Sequence, residues 1–455
     1  MKNSIFVQIA SYRDPQLIPT ILDLLTNAQH PENLHTSVCW QHGDDETLSI
    51  FINNDFALVK TEKDNRVHNF PVHYLTRNGA TFSIIDVPFP KTKGACWARN
   101  TIQQLYDNEM FTLQIDSHHR FIKYWDQVLI DMLESLRRQG AQKPVLTAYP
   151  LSFDPDNDPD ARSYDPLKIT FHKFAHKGYL ILKSELISNW QALKTPIPAR
   201  FYAAGFAFAD GSFAVEVQHD PEYFFHGEEI NIAVRAFTHG YSLFHPHCPV
   251  TWHEYIRKKK KKMWDDHSAE NKEKNLIESA WYERDQLSHK RNRILFGIDG
   301  EDQSQIDFGK YGLGTVRTLH QYEEYAGISF ANRGVHQDTL DGKPPPNTIL
   351  YTTADEWKKA FFRSNDIPIL VHKSELGDIE DDFDFFYVGV HDAQGTELYR
   401  KDLNRDDIQK YLQTEWISYN LEFLTDQKIP ISYTFWTHSA SKGWIKYIKK
   451  DIGYF

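Results

Sequence analysis

The stretch LQIDSHHRF, residues 113–121, sets an aspartate, a serine and two histidines directly behind a short apolar run. A carboxylate and an imidazole are costly to bury unless each is paired or holds a metal. Residues two apart on an extended segment point to the same side, so Asp116 and His118 can grip one ion while Ser117 faces away. Such a pair suits a borderline divalent metal such as Mn²⁺ better than Mg²⁺, which prefers oxygen ligands and keeps its waters. A third ligand is needed. HPHCPVTWHEYIR, residues 245–257, offers several, and His253 behind the apolar PVTW is the choice made here. An ion held by three side chains keeps open positions for the oxygens of a diphosphate, whose charge it can neutralise as that group leaves.

Other residues could serve the same chemistry. Lys93, Gly94 and Arg99 open a predicted helix, and a helix N-terminus with a nearby cation favours anions. Glu228 and Glu229 begin another, where the macrodipole favours carboxylates even without a function. Asp86 ends the strand FSIID and could reach a ribose. The run RKKKKK, 257–262, is most often a solvated face, but a mobile basic segment just after His253 could close over a diphosphate. His245, His247, Cys248 and His253 are also zinc-ligand types, although their spacing matches no standard finger, and such a site would make the chain a zinc-dependent hydrolase.

These residues need elements to position them. SIFVQIASY (4–12) reads as a buried strand that breaks at Arg13-Asp14-Pro15, followed by helical apolar spacing over 16–28. Residues 35–41, 71–76, 82–88 and 111–116 read as further strands, and 94–110, 124–138 and 227–240 as helices, the last closing on Gly240. Alternating strands and helices predict an α/β fold, a mostly parallel sheet covered on both faces, with ligands gathering beyond the carboxyl ends of the strands. Asp116 and His118 fall there. The Asp- and Pro-rich 153–166 reads as an irregular surface loop, and DGKPPPNT, 341–348, as a linker. Short alternating runs from 349 onward predict a small β-rich region. The expected division is a catalytic domain at 1–335 and an accessory domain at 345–455.

With 455 residues the chain exceeds a single-core size. Its formal net charge of −11 argues against a general nucleic-acid binder, whose affinity comes from neutralising phosphates. The three cysteines, Cys39, Cys96 and Cys248, form no dense framework and suit a reducing compartment. The start MKNSIFVQIASYRD reaches charge too soon for a signal segment, and no apolar run is long enough to span a bilayer, so a cytoplasmic protein without an integral membrane segment is expected.

Several segments, taken together, show a resemblance. FVQIASYRDPQL, GACWARN, LQIDSHHRF with its following WD, AAGFAFADGSF, FFHGEEINIAVRAFTHGY, WHEYIR and LGTVRTLHQYEEYAGISF occur in the order found in the cytoplasmic polypeptide-hydroxyproline alpha-N-acetylglucosaminyltransferases. The match covers roughly residues 1–335. It implies a glycosyltransferase type A (Rossmann-like) fold, a UDP-sugar donor, Mn²⁺ or else Mg²⁺, retention of anomeric configuration, and a protein or peptide acceptor. More distantly, the polypeptide GalNAc-transferases share an Asp-Ser-His motif, a Gly-Glu helix start and a later metal-binding His. These map to Asp116, Ser117, His118, Glu228 and His253. The small-residue strand that lies against the donor sugar in those relatives corresponds to Ala203, Ala204 and Gly205, with Ala204 standing where they have glycine. Ala10, Ser11 and Arg13 fall where family members seat the uridine. Arg257 lies four residues after His253, where the relatives carry a diphosphate-contacting arginine three after. The resemblance thus implies Glu228 and Asp116 as catalytic residues and the others as donor contacts. A contrasting reading is a glycan- or protein-binding module on an inactive transferase fold.

Overall fold

The computed structural model describes residues 3–257, 260–349, 351, 353–377 and 382–454. Its first part carries strands β1 (Ile5–Tyr12), β2 (Leu34–His42), β3 (Ala57–Lys63), β4 (Pro71–Arg77), β5 (Ala80–Pro88), β6 (Phe111–Asp116), β7 (His119–Phe121) and β8 (Pro144–Thr147). These are followed by β9 (Leu151–Ser152), β10 (Leu167–Phe174), β11 (Leu180–Leu186), β12 (Ile197–Pro198), β13 (Phe206–Asp210), β14 (Ser242–His245) and β15 (Thr251–His253). Ten of them form one sheet in the order β12, β14, β8, β13, β6, β1, β2, β5, β4, β3. β1 runs parallel to β2 and β6, and β2 to β5, while β13 is inserted antiparallel between β6 and β8.

Alternation along β1 builds both layers. Ile5, Val7 and Ile9 pack with Ile21 and Leu24 of the Leu17–Asn27 helix and with Trp125 and Leu129 of the Trp125–Arg138 helix. Phe6 points the other way, to Trp97, Ala98 and Ile102 of the Ala95–Gln103 helix. Full burial of each such side chain contributes roughly 1.5–3 kcal/mol, and a one-residue slip would exchange the two faces. The α/β class, a Rossmann-like sheet with helices on both faces, is therefore the one expected.

The structure corrects some details. The helix expected over 94–110 stops at Gln103, and Asn108 takes a left-handed φ of 62° where the chain turns into β6. β3 was not foreseen: all seven residues of ALVKTEK are exposed, so no apolar alternation marks it.

The region after 349 is β-rich, as read. Phe362–His372 and Trp416–Thr425 pair along ten positions, and Phe383–His391, Ser432–Ser439 and Gly443–Asp451 form a second sheet. Ile367, Val371, Phe386 and Phe435 lie in a hydrophobic cluster between them. Gly334–Val335 pairs with Phe362 and Arg363, and Lys173 on β10 bonds Asp366 at 2.9 Å. In the segment 341–348, Arg200 donates to the Lys343 carbonyl at 2.9 Å and to Asn347 Oδ1 at 2.7 Å. Among the described residues no helix is long and apolar enough to cross a membrane.

Candidate active site

β1 and β6 pair so that Ala10 faces Asp116, and both strands end at the same edge of the sheet. Just beyond, the chain turns. Thr20 Oγ1 donates to the carbonyls of Ser117, at 2.9 Å, and His119, at 3.2 Å, pinning that turn from the first helix. β15 pairs antiparallel with β7, bringing His253 opposite His119. The edge opens on a cavity of about 600 Å³ whose wall includes Asp116, His118, His253, Gly205, Glu228 and Glu229.

Arg99 organises the floor. It is buried, and it donates to Glu228 Oε1 at 2.7 Å and to Asp116 Oδ1 at 2.8 Å. Cys96 Sγ, one turn of helix earlier, donates to Glu228 Oε2 at 2.6 Å. Burial alone would raise the Asp116 pKa, but the hydrogen bond from His253 and the Arg99 charge outweigh it and hold the carboxyl well below its usual range. Asp116 is thus an anion facing the cavity.

The histidines are less simply placed than the sequence pattern predicts. His253 Nε2 lies 3.3 Å from Asp116 Oδ2. The side chains whose ligand atoms fall within 4.8 Å of one another are Asp116, His119 and His253, because the turn at 117–118 breaks the alternation on which the choice of His118 rested. His119 Nδ1 bonds Thr251 Oγ1 at 3.0 Å, its Nε2 is buried without a partner, and the ring is shut off from solvent. His118 instead borders the cavity with its ring 4.4 Å from that of His253, and its Nδ1 bonds Asp14 Oδ2 at 2.7 Å. With Nδ1 on the Asp14 carboxylate, Nε2 is the nitrogen that His118 has left for a metal. Burial holds His253 below the usual imidazole range against the pull of Asp116, which keeps it neutral and able to ligate. One carboxylate with two imidazoles, including an unpartnered His253 Nδ1, fits a borderline divalent ion.

Asp14 is the residue that sequence reasoning missed. It is buried, accepts from Ser117 Oγ at 2.6 Å and from His118, and forms an ion pair with Arg257 at 3.1 Å. Burial raises its pKa, but His118, Arg257 and Ser117 together bring it down to about 2. It sits where β1 breaks beside the end of β6, and that placement was the available signal. Tyr149 and Tyr255 in the cavity wall had no distinguishing sequence pattern.

The remaining predicted residues divide. Ala10, Gly94, Arg99, Ser117, Ala204, Gly205, Glu228, Glu229 and Arg257 border the cavity. A Cβ on Gly205 would stand 3.3 Å from Asp116 Oδ2, so the missing side chain leaves that carboxylate its room. Glu229 accepts from the Ala204 amide at 3.0 Å and from Tyr149 Oη at 2.7 Å, and burial pushes its pKa up to about 7. Ser11, Arg13, Asp86 and Lys93 are not in the cavity wall. Ser11 is wholly buried, and Arg13 is bound to Asp266 at 3.0 Å. Asp86 is held between His42 at 2.8 Å and His73 at 3.0 Å, and Lys93 lies on a separate cavity of about 550 Å³. Of the lysine run, Lys258 and Lys259 lie outside the described residues, whereas Lys261 and Lys262 border the site. The zinc alternative at 245–253 is not assembled, since His245 spends its nitrogens on the Thr147 carbonyl at 2.8 Å and the Ile169 amide at 3.2 Å.

A family model described as Glycosyltransferase (GlcNAc) matches residues 4–332. No curated protein matches. Among solved structures, GalNAc-T7 with UDP, GalNAc and Mn²⁺ is 11% identical, with 70% of this chain and 56% of that chain covered and a TM-score of 0.42. This chain therefore spans just over half of that relative. TarS from S. aureus is 10% identical over 99% of this chain and 86% of its own, with a TM-score of 0.34. The mannosyltransferase PcManGT from Pyrobaculum calidifontis, with GDP-Man and Mn²⁺, is 9% identical over 56% and 58%, with a TM-score of 0.33. The family assignment rests on the sequence match alone.

Proposed function

The chain belongs to the glycosyltransferase (GlcNAc) family, and from that premise we propose a metal-dependent, retaining N-acetylglucosaminyltransferase that moves GlcNAc from UDP to a hydroxyl on a protein or peptide in the cytoplasm. We propose with it a catalytic domain at 1–335 and an accessory domain at 345–455. The observation that carries the reading is the meeting of Asp116, His118 and His253 on one cavity at the carboxyl ends of β1 and β6, with Arg257, Lys261 and Lys262 in the same wall.

In this reading Asp116, His118 and His253 would hold the ion, preferably Mn²⁺, which would supply charge stabilisation to the departing diphosphate. Asp14 holds the His118 tautomer. Arg257, Lys261 and Lys262 add positive charge where the diphosphate charge grows, the usual source of the largest catalytic effect. Arg99 keeps Asp116 and Glu228 apart in fixed orientation, and the lone pairs of Glu228 and Glu229 not already used accept from sugar or acceptor hydroxyls. Gly205 and Ala204 let the donor sugar approach the backbone. The acceptor oxygen forms its bond to the anomeric carbon from the side on which the bond to the diphosphate breaks, and its proton passes to the leaving phosphate oxygen. No protein nucleophile is required.

The test is a donor screen by mass spectrometry. The full chain is incubated with Mn²⁺ and each UDP-sugar, and UDP release and mass added to candidate proteins are measured. Release from UDP-GlcNAc, abolished by Asp116→Ala, is expected, whereas full activity of Asp116→Ala would overturn the assignment.

A further inference from the structure

A second group of metal-ligating side chains shares no residue with the group around Asp116. Asp285 and His289 sit one turn apart on the same face of the Trp281–Phe296 helix, and His226 comes from the loop that leads into Glu228. Their ligand atoms all fall within 4.8 Å of one another. His226 Nδ1 is 3.2 Å from Asp285 Oδ1, and His289 Nε2 is 3.5 Å from the same oxygen. Ligands about 2.0–2.1 Å from a tetrahedral zinc ion are roughly 3.3 Å apart. Two of the three edges already have that spacing.

The decisive feature is His289. It is 2% exposed, and neither ring nitrogen makes a hydrogen bond. Leaving a buried polar group unsatisfied costs about 1–3 kcal/mol. Tyr179 stacks on it at 4.5 Å and 7° and cannot supply a partner to the nitrogens in its plane. His289 Nε2 lies near the same Asp285 oxygen that His226 contacts.

We propose that His226, Asp285 and His289 form a second divalent-metal site, separate from the diphosphate-facing one. Two imidazoles and one carboxylate select Zn²⁺ or a similar borderline ion over Mg²⁺ and Ca²⁺, which want all-oxygen ligands. The His226 side chain is 49% exposed and borders the main cavity, so the ion enters from that side and a water completes its shell. The helix already grips this loop: Arg291 Nε donates to Asp220 at 3.0 Å, Ser288 Oγ accepts from the Phe224 amide at 2.7 Å, and Asn292 donates to the Gly227 carbonyl at 3.2 Å. An ion here would reinforce the existing bond between His226 and the helix, two residues before Glu228. The inference does not rest on the transferase reading.

The test uses the metal-stripped full chain carrying His253→Ala, which removes the donor-side ion, with and without His226→Ala. His226 is half exposed, and its replacement gives up its bond to Asp285 and its stacking on Tyr179. Zinc titration by calorimetry is expected to show one site per chain in the first variant, weakened at least tenfold in the second, with a zinc-dependent rise in melting temperature lost in parallel. Replacing zinc by Co²⁺ is expected to give the absorption bands of a tetrahedral ion in the first variant only. Equal zinc affinity in the two variants, or no zinc bound by the first, overturns the proposal. The result is independent of whether any UDP-sugar binds.

Discussion

Arg99→Met removes the cation on which the floor of the site is built. Its side chain is 5% exposed, that of its partner Glu228 6% and that of Asp116 26%. Deleting one member of a buried ion pair costs about 3–5 kcal/mol, because the other charge stays buried and unpaired. Here the single loss strands two carboxylates, but Asp116 is open enough for water to screen it. The expected cost is therefore about 3 kcal/mol at pH 7, the lower end of that range. The sign with pH follows from Asp116. In the wild type its depressed pKa contributes stability above the unfolded value of about 3.9, which is lost as pH falls. Without Arg99 that depression shrinks, so the gap between wild type and variant narrows from pH 7 to pH 3, the change falling below about pH 4. Urea unfolding followed by tryptophan fluorescence at the two pH values measures both quantities. A loss under 1 kcal/mol at pH 7, or a gap that widens on acidification, would refute the account of Arg99.

Three further perturbations probe the surrounding shell. Asp14→Asn leaves His118 without its charged partner and is expected to weaken Mn²⁺ binding about 10–100-fold by calorimetry while the far-UV spectrum is unchanged; unaltered affinity would exclude a positioning role. Gly205→Val places branched carbons against Asp116 Oδ2, so Mn²⁺ and UDP binding should both fall, and a variant that binds like wild type would show that the carboxylate has room to spare. Glu229 has a folded pKa near 7, above its unfolded value, so its ionisation costs the folded state progressively from about pH 4.3 to pH 7. Glu229→Gln should therefore gain stability relative to wild type over that interval, on the order of 1 kcal/mol given its partial exposure, and parallel pH profiles would contradict it.

Much of this arrangement is legible in the sequence because strong periodicity marks the elements that carry it. FVQI and FTLQI are unbroken enough to be buried strands, and their ends carry the polar residues that the sheet edge gathers. The choice between His118 and His119 was not legible, since it depends on a turn that suspends the two-residue period. Arg99 was read as an anion-binding cation because its helix position was visible, whereas its two carboxylate partners lie 17 and 129 residues away in the chain. Asp14 was hidden for the same reason: its partners His118 and Arg257 meet it only in the folded state. β3 carried no signal because it buries nothing.

The central claim is that a divalent ion on Asp116, His118 and His253 binds the nucleotide's phosphates. Calorimetric titration of UDP into the full chain, with Mn²⁺ and then with excess chelator, tests it most directly. Binding that needs Mn²⁺ in the wild type and disappears in both His118→Ala and His253→Ala is the predicted result. UDP affinity that is the same with chelator, or untouched by either substitution, would contradict it.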